Sequence, residues 1–196
     1  LLFLNRRGYA SFVLCESCGH VAECDNCSVS LTYHRAQDRL KCHQCGFQSA
    51  MISQCTECES NEVIPLGLGT ERIENEVRLH FPNACIERLD RDVIRKPEEL
   101  KKLLQRMHQG EIDILIGTQM LAKGHDFPGV TLVGVILAET GLAFPDYRAA
   151  ERTFQLLTQV AGRAGRRSDT GRVLIQTFNP THVAIERAAA HDVHGF

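Results

Sequence analysis

Four Cys-x-x-Cys pairs lie within a short stretch of this chain: Cys15/Cys18, Cys24/Cys27, Cys42/Cys45 and Cys55/Cys58. A turn of this spacing aims two thiolates at one tetrahedral ion, so eight thiolates suffice for two Zn²⁺. The ninth cysteine, Cys85, stands apart. Zinc-binding thiols must be reduced, which favours a cytoplasmic protein over a secreted disulfide framework. Four thiolates fill the shell of each ion and leave no position for an activated water, so both ions are expected to be structural. Binding of this kind supplies on the order of 10–16 kcal/mol at neutral pH, enough to fold a segment with almost no core. His20, His34 and His43 lie among the knuckles, but with eight thiolates present none is expected as a ligand.

Four knuckles combine into two sites in three ways: sequential, crossed or nested. The segment SVSLTYH, 28–34, alternates polar and apolar residues, and Arg39 to Cys42 returns after Ala36, Gln37 and Asp38, the pattern of a β-hairpin. A hairpin turning near Ala36 brings Cys27 beside Cys42. Cys24, Cys27, Cys42 and Cys45 then converge on one ion, and Cys15, Cys18, Cys55 and Cys58 are nested outside them. The module either holds two loops together or offers a recognition surface to protein or nucleic acid.

A second group of residues carries different chemistry. QVAGRAGR, 159–166, sets Arg163 and Arg166 three apart between glycines at the end of a helical pattern. Arginine binds phosphate oxygens through a planar fork and does not deprotonate, and glycine lets backbone approach closely. A bare pair of arginines also suits an exposed basic helix end. Context favours the phosphate reading: GTQMLAKGHDF, 117–127, begins where the apolar run DILIG ends, the edge at which open α/β sheets bind ligands. That loop supplies Thr118, Gln119, Lys123, Gly124 and Asp126.

The elements that must position these residues read as alternating strand and helix. LLFL (1–4), CIERL (85–89), DILIG (113–117), TLVGVILA (131–138) and RVLIQTF (172–178) are nearly unbroken apolar runs, suited to a parallel sheet buried on both faces. Helical patterns lie at 70–81, at 97–108 with proline first, at 147–161 and at 180–190. The expected fold is an α/β parallel-sheet lobe, residues 1–14 with 59–196, carrying a cysteine-rich insert at 15–58. At 196 residues and a net charge of −2, bulk composition excludes neither a local basic site nor any common soluble class. The longest strongly apolar run, 130–138, is far short of the roughly 20 residues of a membrane-spanning helix. The opening LLFLNRRGYA and the closing HDVHGF read as the cut ends of a longer chain.

The octet QVAGRAGR resembles motif VI, and GTQMLAKGHDF motif V, of the second RecA-like lobe of superfamily 2 helicases. LNRRGYA leading into the eight-cysteine block, GTERIE after it, RLDRD (88–92) and PDYRAAERTFQLLTQVAGRAGR resemble the primosomal replication-restart family within that superfamily. The resemblance implies a lobe of an ATP-dependent DNA helicase, unwinding 3′ to 5′ at stalled forks, with ATP and Mg²⁺ in the complete protein. It implies that Arg163 and Arg166 contact the γ-phosphate and that Gln159 lies on the nucleotide side. Gly124 and Asp126 would face the nucleotide or couple it to DNA, while Thr118, Gln119 and Lys123 would approach DNA. It also implies nested zinc pairing, DNA forks and junctions as partners, single-strand-binding protein and primosome proteins as further partners, and a monomer. At Glu139 the family is expected to carry aspartate, and no catalytic role is assigned there. No G-x-x-x-x-G-K-[ST] and no DExH-type box occur, so the chain alone is expected to hydrolyse no ATP. The competing reading is a non-enzymatic zinc-ribbon adaptor on a RecA-like scaffold.

Overall fold

The computed structural model describes residues 1–5, 11–67, 69–91, 93–122, 127, 129–143, 146–165 and 171–196. Two sheets organise them. The first is parallel, in the order β10 (Arg172–Ile175), β9 (Leu132–Ile136), β1 (Leu2–Leu4), β8 (Ile114–Gly117), β7 (Ile86–Leu89). The strand β1 lies in its middle, Leu2 facing Ile116 on one side and Gly134 on the other. Successive side chains of a strand point to opposite faces, and β1 shows the consequence. Phe3 enters a cluster with Leu103, Leu121, Phe154, Leu157 and Ile185, whereas Leu4 packs with Ile73, Ile86 and Ile116.

Helices cover both faces, as buried parallel strands require. The Leu4 face receives α1 (Thr70–His80), and the Phe3 face receives α2 (Pro97–His108), α3 (Gln119–Ala122), α4 (Ala149–Ala161) and α5 (Val183–Ala189). In α4 the buried residues Thr153, Phe154, Leu157, Val160 and Ala161 recur at helical spacing, forming the stripe that faces the core. In α2, Pro97 starts the helix, and the Glu99 carboxylate accepts the backbone N–H groups of Arg95 at 2.8 Å and Lys96 at 3.0 Å. Those bonds satisfy donors that a helix start would otherwise leave unpaired. Gly110, at φ +72°, lies just past the C-terminal end of α2.

The second sheet is antiparallel, in the order β5 (Gln48–Ala50), β4 (Arg39–Lys41), β3 (Thr32–His34), β2 (Ser11–Cys15), β6 (Val63–Leu66). The expected hairpin is present, with His34 paired to Arg39 across a turn at 35–38. Strands β2 and β6, which the sequence reading left unassigned, pair directly from Phe12 with Leu66 to Cys15 with Val63. Phe12, Leu14 and Leu66 then pack against Leu137 at the end of β9, joined by Ile136, Ala143 and Phe178. The cysteine-bearing sheet is thereby anchored by an apolar seam to the parallel lobe. Ser30 Oγ donates to the Ala143 carbonyl across the same seam.

Candidate metal centres and the loop-end site

Each of the four cysteine knuckles closes in the same way. The backbone N–H four residues after the first cysteine returns to that cysteine's carbonyl: Gly19 to Cys15 at 2.8 Å, Ser28 to Cys24 at 2.8 Å, Gly46 to Cys42 at 3.0 Å and Glu59 to Cys55 at 3.1 Å. The donor residue has positive φ every time: +76° at Gly19, +49° at Ser28, +79° at Gly46 and +58° at Glu59. Glycine accepts that conformation freely, whereas serine and glutamate are held in it against steric cost. The first cysteine of every knuckle, Cys15, Cys24, Cys42 and Cys55, is buried.

The knuckles gather into two sets, Cys15, Cys18, Cys55 and Cys58 in one, Cys24, Cys27, Cys42 and Cys45 in the other. Nested pairing is thus what the fold adopts. Sulfur atoms lie 3.6 Å apart for Cys15 and Cys58, 3.7 Å for Cys18 and Cys55, and 3.7 Å for Cys24 and Cys45. A disulfide needs roughly 2.05 Å. Four sulfurs about 2.3 Å from a central zinc, at tetrahedral angles, lie about 3.7–3.8 Å from one another, so the donor sets fit zinc.

Protonation supports the same conclusion. Burial pushes the Cys15 thiol up, but the backbone N–H groups of Cys18 and Ser17 and neighbouring thiols outweigh it and bring Cys15 down to about 7. The backbone N–H of Cys45 leads the causes that bring Cys42 down to about 7. The Cys45 thiol and burial push Cys27 up to about 12. For Cys18 the His20 backbone N–H favours the thiolate, yet burial and the thiols of Cys58, Cys55 and Cys15 push it up to about 12. Without a cation, one thiolate in each set therefore suppresses another. A divalent ion would supply the positive charge that lets all four ionise, and it would hold the loops of the module together.

The other candidate residues meet at the C-terminal edge of the parallel sheet. Helix α4 stops at Ala161, and tighter turns follow, Arg163 N–H to Val160 at 3.0 Å and Ala164 N–H to Ala161 at 3.1 Å. Arg163 therefore does not continue the helical face. Its side chain turns inward to 6% exposure and donates to the Ala122 carbonyl at 2.6 Å, tying the end of α4 to the end of α3. Gly165, at φ +72°, donates its N–H to Val130 at 3.1 Å, and a Cβ on Gly171 would overlap the Gly165 backbone. Close backbone approach explains the glycines there. Thr118 follows β8, and its carbonyl accepts the Leu121 N–H at 2.8 Å, opening α3. Lys123, Gly124, Asp126 and Arg166 lie outside the described residues.

A cavity of about 320 Å³ opens beside α4, and both Gln119 and Gln159 line it. These two residues, expected on the DNA side and the nucleotide side respectively, thus share one space. Asn5, Arg152 and Thr153 line it too; they lie in LNRRGYA and PDYRAAERTFQLLTQVAGRAGR, but the resemblance of those stretches assigns them no role. By residue type and periodicity alone, Asn5 reads as the first polar residue after an apolar strand, and Arg152 and Thr153 as positions on an amphipathic helix. Two quoted motifs also converge, since Thr70 Oγ1 of GTERIE donates to Asp90 Oδ2 of RLDRD at 2.7 Å in a buried bond. Glu139 is buried, and its Oε1 accepts the Phe178 N–H at 3.0 Å. No described helix is long and apolar enough to cross a membrane.

Comparison with known families agrees with this architecture. The family model described as the PriA DNA helicase Cys-rich region (CRR) domain matches residues 24–49, and that of the helicase conserved C-terminal domain matches residues 51–168. A Bacillus subtilis protein named replication restart protein PriA is 50% identical over 196 residues, all of this chain and 24% of its own length. A Synechocystis protein of the same name is 46% identical over 200 residues, again 24% of its length. The chain thus spans about a quarter of the length of these relatives. Among solved structures, the C-terminal domain of the DEAD-box protein Dbp5 aligns with a TM-score of 0.44 at 21% identity, covering 66% of this chain and 67% of that one.

Proposed function

Because the chain belongs to the helicase conserved C-terminal domain family, we propose that it is the second motor lobe and zinc module of an ATP-dependent DNA helicase acting in replication restart. The observation that carries this reading is the joining of two structural Cys₄ sites to a parallel lobe whose α3 and α4 ends are fastened by Arg163 at Ala122. In a motor of two lobes, arginines from one lobe neutralise charge that develops on the phosphate held by the other. Arg163 and Arg166 are proposed to contact the γ-phosphate, and the bond from Arg163 to the Ala122 carbonyl supports the reading by fixing the loop that carries both. Gly124 and Asp126 are proposed to face the nucleotide, and Thr118, Gln119 and Lys123 the DNA. Unwinding 3′ to 5′ at forks, a cytoplasmic monomer, and contacts with single-strand-binding protein and primosome proteins belong to the same proposal.

The zinc module is proposed to be a recognition surface rigidly carried by the motor lobe. Support comes from the apolar seam of Phe12, Leu14, Leu66 and Leu137, which leaves little freedom between the two sheets. The test uses the full-length protein. Arg166→Ala should lower DNA-stimulated ATP hydrolysis by roughly 10³-fold or more, the scale of arginine contacts in phosphoryl transfer. Unchanged hydrolysis would favour the adaptor reading instead. The 196-residue chain by itself is expected to hydrolyse no ATP, since it carries no P-loop motif.

A further inference from the structure

We propose that the cavity beside α4 receives one unstacked nucleobase of single-stranded DNA. This rests on the reading of the lobe as a DNA motor and adds a ligand to it: a base, where the motif V residues are expected only to approach DNA.

The chemistry of the walls selects the ligand. Asn5, Gln119 and Gln159 line the cavity with carboxamides, each of which offers both a donor and an acceptor. Ala122, Ala149 and Leu156 supply apolar wall between them. Among the described residues the one lining cation, Arg152, is bonded to Asp146, which also lines the cavity, so their charges cancel. A phosphate would need an uncompensated cation there, whereas a neutral group with mixed donors and acceptors would not. Carboxamides make bidentate pairs with base edges, and single-stranded recognition characteristically splays a base out to expose those edges.

Thr153 adds an independent sign of a ligand. Its side chain is 1% exposed and lines the cavity, yet its Oγ1 has no hydrogen-bond partner among the described residues. A buried hydroxyl without a partner costs about 1–3 kcal/mol, a cost that a bound donor or acceptor removes. Gly141 lies against both groups: a Cβ there would overlap Asn5 Nδ2 and Thr153 Oγ1, so only a residue without a side chain leaves those polar atoms in place at the cavity wall. Size agrees as well. About 320 Å³ lies at the small end of the roughly 300–1,000 Å³ of ligand pockets, the scale of a single base. The base of ATP offers the same edge chemistry, but its triphosphate would bring several negative charges to a lining whose described charges cancel. A base of the single strand can enter while its phosphates stay outside.

The test measures binding of the zinc-loaded 196-residue chain to fluorescent oligothymidylate at low salt, against an abasic oligomer with the same number of phosphates. The intact strand should bind several-fold tighter than the abasic one. Thr153→Val, which keeps the side-chain shape, and Gln159→Ala, on an exposed side chain, should each shrink that ratio towards one while leaving abasic affinity unchanged. Gln159→Ala carries the test if Thr153→Val does not fold. Equal losses for both oligomers, or weakened ATP binding with the ratio intact, would overturn the base pocket and leave the motor reading standing. No binding to either oligomer would overturn the DNA-facing assignment itself, and the pocket with it.

Discussion

Glu139 and Phe178, 39 residues apart, are joined by a 3.0 Å hydrogen bond from the Phe178 N–H to Glu139 Oε1. Glu139 lies in the short turn 138–141 that also lines the cavity at Gly141, and Phe178 lies in the seam with the cysteine-bearing sheet. The bond therefore connects the wall of the proposed base pocket to the mounting of the zinc module. Replacing Glu139 with alanine leaves the Phe178 N–H without its acceptor, a loss of about 1–3 kcal/mol. Glutamine retains an acceptor, so Glu139→Gln should recover most of the stability. Chemical denaturation of the two variants checks this, and an alanine variant as stable as the parent would refute the role.

Gly19 meets the same residue from the other side. At φ +76° it closes the first knuckle, and a Cβ built on it would sit 2.7 Å from the Phe178 carbonyl oxygen. Gly19→Ala should cost about 1–2 kcal/mol from the left-handed backbone alone, plus the displacement of Phe178. Loss of zinc on heating should occur at a lower temperature in this variant than in the parent, measured with a chromogenic chelator.

Two knuckles close with residues that pay for that conformation. Glu59 is exposed and sits at φ +58°. Glu59→Gly should raise stability by about 0.5–1 kcal/mol, the backbone relief being partly offset by the freer unfolded chain. A melting temperature unchanged or lowered in Glu59→Gly would show that the strain is not relieved there.

Metal analysis should return two zinc ions per chain. Cys42→Ser removes a thiolate of the inner set and should lower the count towards one, while chelation should unfold the antiparallel sheet before the parallel lobe. Hydrogen exchange resolves the order, because amides of β3 and β4 would lose protection first. One zinc ion in the parent, or none with mapped disulfides, would contradict the geometry described above.

Helix α2 should show an acid-side weakness. The backbone N–H groups of Arg95 and Lys96 hold the Glu99 carboxyl below its ordinary value. A carboxylate depressed in the folded state contributes stability that is fully present above the unfolded value, about 4.3, and is lost as pH falls through the folded value. Amides of Arg95 and Lys96 should lose protection in that window, just below pH about 4.3. In Glu99→Gln the loss should not depend on pH, and an NMR titration placing Glu99 at or above the ordinary value would reverse the sign.

Local chemistry and periodicity made much of this protein legible in the sequence. Regular CxxC spacing specified the metal class, because two thiolates on one turn have few other uses, and the alternation of 28–34 specified nested pairing through its hairpin. Apolar runs located the five strands of the described parallel sheet, and Pro97 marked the start of α2 because proline at a first helical position is a local signal. Boundaries shifted where the signal was tertiary: the helical pattern at 180–190 yields a helix only at Val183–Ala189.

Only the tertiary structure decided the rest. Strands β2 and β6 are separated by the whole knuckle region, and their pairing depends on where the zinc sites return the chain. The inward turn of Arg163 follows from the end of α4 at Ala161 and from the position of the Ala122 carbonyl, neither of which a motif encodes. Asn5, Gln119, Thr153 and Gln159 belong to three elements and become one cavity only when those elements stack. Spacing along the chain can reveal which residues are capable of chemistry, but a buried hydroxyl without a partner is a property of packing.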